Sequence, residues 1–310
     1  MTHHTVRSAL ALALATTALS PAIAQSTDWS TTIPAFRVGI LGGENEADRL
    51  KEWSCFQELV QTELGVPVEL YPASDYAGVM QGLLADQLEY AQLGASAYAG
   101  IHLQDPEAVE PIVTNSEADG SLGYYAMMYA RADSGITSLE QMEGKSLAFA
   151  DPNSTSGYLV PNAELKLQGI DPEIYFSQTG FGGGHEQAVV AVLQGQYDGG
   201  VTWTSGIGEK AEGFSRGNLR SMVEKGMLDM EELNIIWQSS LIPNGPVVMR
   251  NDLPAELKDQ VKAMLVGMAE SDPECFSAVS AGEGGAFVPI EADFYDGVIE
   301  MRRMEQEAAR

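Results

Sequence analysis

In the first third of the chain, short apolar runs alternate with stretches in which apolar residues recur at helical spacing. Short apolar runs, typical of buried strands, lie at 36–41, 66–70, 89–93 and 111–114. Stretches with helical spacing of apolar residues lie between them, at 44–64, 76–84 and 95–101. Because strands that alternate with helices form βαβ units, the pattern predicts a parallel, doubly wound α/β sheet.

A second set of alternating elements begins with a long apolar strand at 123–131. Strands are predicted at 146–150, 175–178, 199–203 and 234–238, with helices at 155–167 and 186–193. An apolar run at 245–250 then precedes two terminal helices, at 253–268 and 291–310. We expect the strands at 123–131 and 245–250 to cross between two lobes of a hinged clamshell. The first lobe would comprise residues 25–122 and 246–310, and the second lobe residues 123–245.

The first 24 residues have the features of a secretory signal peptide. Residues 1–7 carry one Arg and no acid, residues 8–19 are mostly apolar, and Ala22-Ile23-Ala24 fits a cleavage site. The apolar stretch is shorter than the roughly 20 residues that span a bilayer. We expect cleavage after Ala24 and a periplasmic protein without a lipid anchor, since Gln25 stands where that anchor needs Cys.

The charge of the chain excludes some partners. It has 17 basic and 44 acidic residues and a formal net charge of −27. Loss of the signal peptide removes one Arg, which leaves 16 basic residues and a net charge of −28. Such a chain repels nucleic acid and anionic membrane surfaces. We expect a soluble monomer with no nucleic-acid partner and no cofactor.

The sequence contains two cysteines, Cys55 and Cys275. In an oxidising compartment an isolated pair is a disulfide candidate, and the bridge would bring both ends of the chain into one lobe. Two buried free thiols are the alternative. We predict the disulfide.

A run of three hydroxyl residues, Ser154, Thr155 and Ser156, lies between a predicted strand and a predicted helix. The first turn of a helix has free N–H groups and a partial positive charge. Together with three hydroxyl donors, it suits a tetrahedral oxyanion. The alternative is an ordinary N-cap, in which one hydroxyl group closes the helix.

A glycine-rich loop at 180–184 leads into His185 and also precedes a helix. Glycine lets the backbone approach a ligand closely, and His185 adds a donor that can carry charge. A flexible loop with a solvated histidine is the alternative. Two such helix N-termini in one lobe favour a binding site over separate structural roles.

Enzyme motifs are incomplete in this chain. The segment that begins at His185 has Val189 where a metalloprotease has its second His. Two of the four histidines, His3 and His4, lie in the signal peptide, so a three-His metal site is excluded. A hydrolase that pairs Ser154 or Ser156 with His185 remains an alternative, although no recognisable motif supplies an orienting acid.

Four segments resemble the PhnD group, the periplasmic substrate-binding proteins of phosphonate, phosphate and phosphite ABC transporters. They are DPNSTSGYLVP, GGGHEQAVVAVLQGQYDGGVTW, YPASDYAGVMQGL and SLIPNGPVVMRNDLP. The resemblance covers nearly all of the mature chain and implies a type II periplasmic-binding fold. It also implies that Ser154, Thr155 and Ser156 hold the phosphonate oxygens, that His185 donates to them, and that Tyr76 is an aromatic cleft residue.

The chain departs from the family where the ligand tail would lie. Ser205 and Gly245 stand where members that prefer aminoalkylphosphonates have acidic residues, and Leu93 stands where they have a tyrosine. Trp203 and Leu93 would form apolar walls. The cleft would then lack countercharges for an ammonium group, which favours small or neutral-tailed ligands.

The expected function is therefore capture of a phosphonate, or of phosphite or phosphate, between the lobes for delivery to an ABC permease. No bond is made or broken, so the chain is not expected to be an enzyme. The first alternative is a receptor that reports an oxyanion to a membrane kinase. The second, less favoured, is the secreted Ser–His hydrolase.

Overall fold

The computed structural model describes residues 1, 29–43, 45–291 and 293–308 of the 310-residue chain. Apart from Met1, the predicted signal peptide lies outside these residues. Within the described part of the chain, twelve strands form two sheets, each packed with helices. No helix in these ranges is long and apolar enough to cross a membrane.

The first sheet and its helices, here called lobe 1, combine the two ends of the chain. Its strands are β1 (Phe36–Ile40), β2 (Val68–Pro72), β3 (Tyr90–Gln92), β4 (Val109–Asn115), β11 (Pro246–Arg250) and β12 (Phe287–Val288). They lie in the order β12-β4-β11-β3-β1-β2. Its helices are α1 (Glu46–Leu64), α2 (Tyr76–Leu84), α3 (Ala95–Gln104), α8 (Ala255–Ser271), α9 (Pro273–Ser280) and α10 (Asp296–Ala308).

The second sheet and its helices, here called lobe 2, come from the middle of the chain. Its strands are β5 (Gly123–Arg131), β6 (Ser146–Phe149), β7 (Gln178–Phe181), β8 (Gly199–Thr204), β9 (Leu233–Gln238) and β10 (Ile242–Pro243). They lie in the order β10-β5-β8-β6-β7, and β9 also pairs with β5. Its helices are α4 (Val160–Leu167), α5 (Pro172–Tyr175), α6 (His185–Leu193) and α7 (Asn218–Glu224).

The α/β prediction is confirmed, but neither sheet is purely parallel. In lobe 1, β11 runs antiparallel between β3 and β4; in lobe 2, β5 runs antiparallel to β8. Each of these strands enters its sheet from the other lobe. Each of the two strands lies within one sheet only, so the chain crosses between the lobes in the short segments before them, at 116–122 and 244–245.

The segment at 175–178 was wrongly predicted as a strand. Asp171 caps a short helix there by accepting the N–H of Glu173, and Pro172 occupies the first helical turn, where no N–H donor is needed. The strand begins only at Gln178. The predicted 155–167 helix also differs, because its first turn, Thr155–Leu159, is π-helical and α4 follows it.

A disulfide joins helices α1 and α9 on the outside of the first sheet. Cys55 and Cys275 form the bridge, with their Cα atoms 5.7 Å apart. Both helices pack on a core that includes Phe56, Tyr90 and Phe276. The first turn of α9 and the middle of α1 are thereby held together.

Candidate functional site

A cavity of about 210 Å³ lies where the two lobes meet. Lobe 1 contributes the loop after β1, the first turn of α2 and the loop after β3. Lobe 2 contributes the loop after β6, the start of α6 and the end of β8. Lining residues from the two lobes include Gly43, Trp53, Tyr76, Leu93, Gly94, Ser154, Thr155, Ser156, His185 and Trp203.

The three hydroxyl residues line one end of this cavity and are all nearly inaccessible to solvent. Ser154 is the cap of the π-helical turn, since its Oγ accepts the N–H of Gly157 at 3.0 Å. The Thr155 Oγ1 accepts the N–H of Ser96, at the start of α3 in lobe 1, at 2.9 Å. The run is therefore a helix cap and, at the same time, a contact between the lobes.

Asp151 precedes this run and turns its carboxylate inward. The Asn153 N–H donates to it at 2.7 Å, and the backbone N–H of Tyr76, the first residue of α2, also donates to it. Burial raises the pKa of Asp151, and these two backbone donors offset part of that effect. A second polar link thus joins the loop of lobe 2 to a helix N-terminus of lobe 1.

His185 is the first residue of α6, and its imidazole is buried beside the hydroxyl run. Its Nε2 lies 3.1 Å from Ser154 Oγ, and its Nδ1 lies 3.4 Å from Thr202 Oγ1. Thr202 in turn accepts a hydrogen bond from the Asn218 amide at 3.0 Å. Burial lowers the pKa of His185 to about 3, so the ring is neutral at pH 7.

The glycine-rich loop before His185 allows the lobes to touch. A Cβ atom on Gly184 would lie 2.1 Å from the Cα of Gly43, on the other side of the cavity. Any larger residue at 184 would force the two loops apart. At Gly184 the close approach is between two loops, and it keeps the start of α6 at the cavity. Approach of a ligand to the glycine-rich loop stays a prediction.

Aromatic side chains form the middle of the cavity. Tyr76 and Trp203 line it, and so does Tyr124, at the start of β5, which sequence reasoning did not single out. The rings of Tyr124 and Trp203 meet edge to face, with centroids 5.5 Å apart. Burial raises the pKa of the Tyr124 phenol, and hydrogen bonds with Ser156 and Thr155 offset part of that effect. Tyr124 therefore links the hydroxyl run to Trp203.

An ion pair that sequence reasoning also missed lies beside Trp203. Arg216 lines the cavity, packs over Trp203, and binds the buried carboxylate of Glu117. Asn244 bridges the two, because its Nδ2 donates to Glu117 at 2.8 Å and its Oδ1 accepts from Arg216 at 2.8 Å. Glu117 and Arg216 are 99 positions apart, which explains the omission, since no local pattern connects them.

The three residues at which the chain departs from the family pattern differ in their position relative to the cavity. Leu93 and Gly245 line the cavity, and a Cβ atom on Gly245 would lie 1.9 Å from the Leu93 carbonyl oxygen, so the backbone itself fills that place. Ser205 does not line it. Its Oγ lies 2.9 Å from Ser215 Oγ, because the 205–216 loop folds back on itself. The inclusion of Ser205 among the ligand-contacting residues is not supported by this position.

The donors at the hydroxyl end can bind an anion. Three hydroxyl groups and a neutral imidazole line the cavity there, each at the start of a helical segment, an arrangement that suits a tetrahedral oxyanion. In the described parts of the chain, no group of three or more His, Cys, Asp or Glu side chains could hold a metal ion.

The chain was compared with known proteins. Residues 38–295 match the family model described as "ABC transporter, phosphonate, periplasmic substrate-binding protein". The chain is 30% identical over 263 residues to the phosphonates-binding periplasmic protein of Escherichia coli K12, covering 83% of this chain and 72% of that protein. It is 28% identical over 292 residues to the phosphate-import protein PhnD of Mycolicibacterium smegmatis, covering 87% and 86%.

A solved structure agrees with these sequence matches. The binding-protein component of a phosphonate ABC transporter from Pseudomonas aeruginosa superposes with a TM-score of 0.74 at 26% identity, covering 88% of this chain and 87% of that one. The matched segment spans both sheets and the cavity between them. The resemblance in the four sequence segments is thereby confirmed, and the chain belongs to the family of periplasmic substrate-binding proteins of phosphonate ABC transporters.

Proposed function

We propose that this protein binds the tetrahedral head group of a phosphonate, or of phosphite or phosphate, at the hydroxyl end of the cavity. Ser154, Thr155, Ser156 and His185 donate to the oxygens, and Tyr76 and Trp203 enclose the tail. The observation that carries the proposal is that three buried hydroxyl groups and an imidazole line the same cavity, with Ser154 Oγ 3.1 Å from His185 Nε2.

The closed arrangement of the lobes supports delivery to a membrane permease. Residues 25–122 and 246–310 form one lobe in this proposal, and residues 123–245 form the other. A ligand between them stabilises the closed form, and the permease of the transporter recognises that form. In this proposal the protein is a monomer that is exported after cleavage behind Ala24. This delivery requires no chemical step.

Calorimetric titration with phosphate, phosphite, methylphosphonate and 2-aminoethylphosphonate tests the proposal. At least one of the four ligands should bind, and the substitution His185→Gln should lower the affinity for it. If none of the four binds to folded protein, the proposal is wrong.

The contact between Ser154 and His185 favours one second candidate, a Ser–His hydrolase. Two features argue against it. The partner of His185 Nδ1 is the hydroxyl group of Thr202 instead of a carboxylate, and an imidazole whose pKa is lowered to about 3 by burial is a weak base. Incubation with a phosphonate ester separates the two: turnover that Ser154→Ala abolishes would establish the hydrolase, and binding without turnover supports transport.

A further inference from the structure

A buried cation, Arg216, lines the cavity and is connected to the hydroxyl run through Trp203 and Tyr124. The guanidinium carbon of Arg216 lies 5.0 Å from the centre of the Trp203 ring, a cation–π distance. Arg216 is 4% exposed overall, and it lines the cavity. A ligand tail that extends past Trp203 would meet a positive charge.

The surroundings of Arg216 fix it in place. Its Nε lies 3.1 Å from Glu117 Oε2, and its Nη2 donates to the other oxygen of the same carboxylate. The Ser280 carbonyl oxygen accepts from Nη1 at 3.1 Å. Because Glu117 is fully buried and is paired by two hydrogen bonds, its carboxylate is compensated by Arg216 and shielded from the cavity.

Tyr124 lies between the hydroxyl run and the pair formed by Arg216 and Glu117. Its hydroxyl group bonds to Ser156 and Thr155, and its ring packs against Trp203. The charges of Arg216 and Glu117 both act on its phenol. A short tail attached to a head group at Ser156 and extended along Tyr124 and Trp203 would reach Arg216.

The other charged side chains that line the cavity, within the described residues, have partners of their own. Arg49 donates to the carbonyl oxygens of Leu41 and Ala73. Glu52 forms an ion pair with Lys225, whose Nζ lies 3.3 Å from it and also 3.3 Å from Glu186, the residue after His185. The carboxylate of Glu52 therefore lies at the junction of the lobes, paired with Lys225.

Building on the proposed function, we propose that Arg216 determines specificity, as a resident cation that excludes ligands with an ammonium tail and admits those with a neutral or acidic tail. Size would not explain such exclusion, because a methyl group and an ammonium group at the end of the tail are nearly equal in volume. The place that a ligand cation would take, on Trp203 and beside Glu117, is already filled by Arg216.

Two ligands of nearly equal shape test this inference. Propylphosphonate and 2-aminoethylphosphonate differ by a methyl group in place of an ammonium group, and titration calorimetry gives the ratio of their dissociation constants. Wild-type protein should bind propylphosphonate at least as tightly. Arg216→Ala opens the cavity to the Glu117 carboxylate, and the ratio should shift toward the amino ligand by about tenfold or more.

The double variant Glu117→Gln/Arg216→Ala is the matched control, because it opens the same space without the acid. It should show no such shift. If Arg216→Ala does not fold, Arg216→Met keeps a side chain over Trp203, removes the charge, and should move the ratio in the same direction.

The outcomes are distinct. If wild-type protein binds neither phosphonate, nor methylphosphonate, phosphite or phosphate, the proposed function fails and this inference fails with it. If wild-type protein prefers 2-aminoethylphosphonate tenfold, or if the double variant shifts as far as Arg216→Ala, the inference about Arg216 fails and the proposed function stands.

Discussion

The three hydroxyl residues differ in the hydrogen bonds that their side chains already make. Ser154 caps the following turn and Thr155 accepts a bond from Ser96, whereas the contacts of Ser156 lie beside Tyr124 in the cavity. Ser156→Ala is therefore the variant that best separates binding from folding. It removes one donor to a charged acceptor, for which a loss of about 1.5–3 kcal/mol of binding free energy is typical.

Calorimetry with the tightest ligand measures that loss, and thermal unfolding should show little change. Ser177→Ala, an exposed serine in the same lobe, is the control and should bind like wild type. Ser154→Ala should lose both affinity and stability, since its cap hydrogen bond is also removed. Unchanged affinity in Ser156→Ala would mean that the head group lies elsewhere.

The lowered pKa of His185 predicts that the stability of the protein depends on pH. The pKa of an unfolded histidine is about 6.5, and burial lowers that of folded His185 to about 3. Between these values the unfolded chain binds one more proton, so acidification favours unfolding by up to about 1.4 kcal/mol per pH unit. At pH 5 the ligand-free protein should have lost roughly 2 kcal/mol of stability from this group.

The matched variant for this prediction is His185→Gln, which keeps a polar side chain but does not titrate. Urea unfolding at pH 7, 6 and 5 gives the difference in unfolding free energy between wild type and variant. That difference should narrow or change sign as the pH falls. A difference that is constant over this range would show that the folded imidazole takes up its proton near pH 6.5.

The link between α1 and α9 can be tested by removing the disulfide. Cys55 and Cys275 are 220 positions apart, and chain-entropy models assign about 5 kcal/mol to a loop of that size. Cys55→Ser/Cys275→Ser should lower the unfolding free energy by an amount of this order. Reductant should destabilise wild type and leave the double variant unaffected, and two titratable thiols in unreduced, unfolded wild type would refute the bridge.

Most strands and helices could be predicted because their apolar periodicity is strong. Errors occurred where tertiary contacts decide the structure. The prediction extended the last helix back to 291, whereas α10 begins at Asp296, and it missed the short helices α7 and α9. Helix α9 follows α8 after a single residue, Asp272, and Asp272 caps it through the N–H of Cys275. Asp272 followed by Pro273 is a helix start signal, but the prediction ended the preceding helix at Met268 and did not use it.

The hydroxyl run and His185 could be identified from the sequence because each is a local pattern next to a strand. The other end of the cavity could not. Arg216, Glu117 and Asn244 come from three distant segments, and only the folded arrangement of the lobes brings them together. Ser205 was chosen from sequence position alone, and such a match cannot show that its loop folds back on Ser215, outside the lining of the cavity.

Several contacts join the lobes across the cleft, and each should contribute to keeping a ligand enclosed. The Gly217 N–H donates to the Ala281 carbonyl oxygen at 2.9 Å, and the Arg302 guanidinium, on α10, donates to the Pro152 carbonyl oxygen at 3.0 Å. Lys225 joins Glu52 of lobe 1 to Glu186 of lobe 2. The Lys225 ion pairs involve side chains alone, so their removal leaves no backbone group without its hydrogen-bond partner.

Lys225→Met should therefore speed ligand release. A partly exposed ion pair contributes about 0.2–1 kcal/mol, so the dissociation rate should rise by up to about fivefold, and less at high salt. Lys51→Met removes the same charge from an exposed position on α1, next to Glu52, and controls for the general field around the cleft. Stopped-flow tryptophan fluorescence separates the two rate constants. A fall in the association rate alone, equal in both variants, would show that Lys225 attracts the anion and does not hold the lobes together.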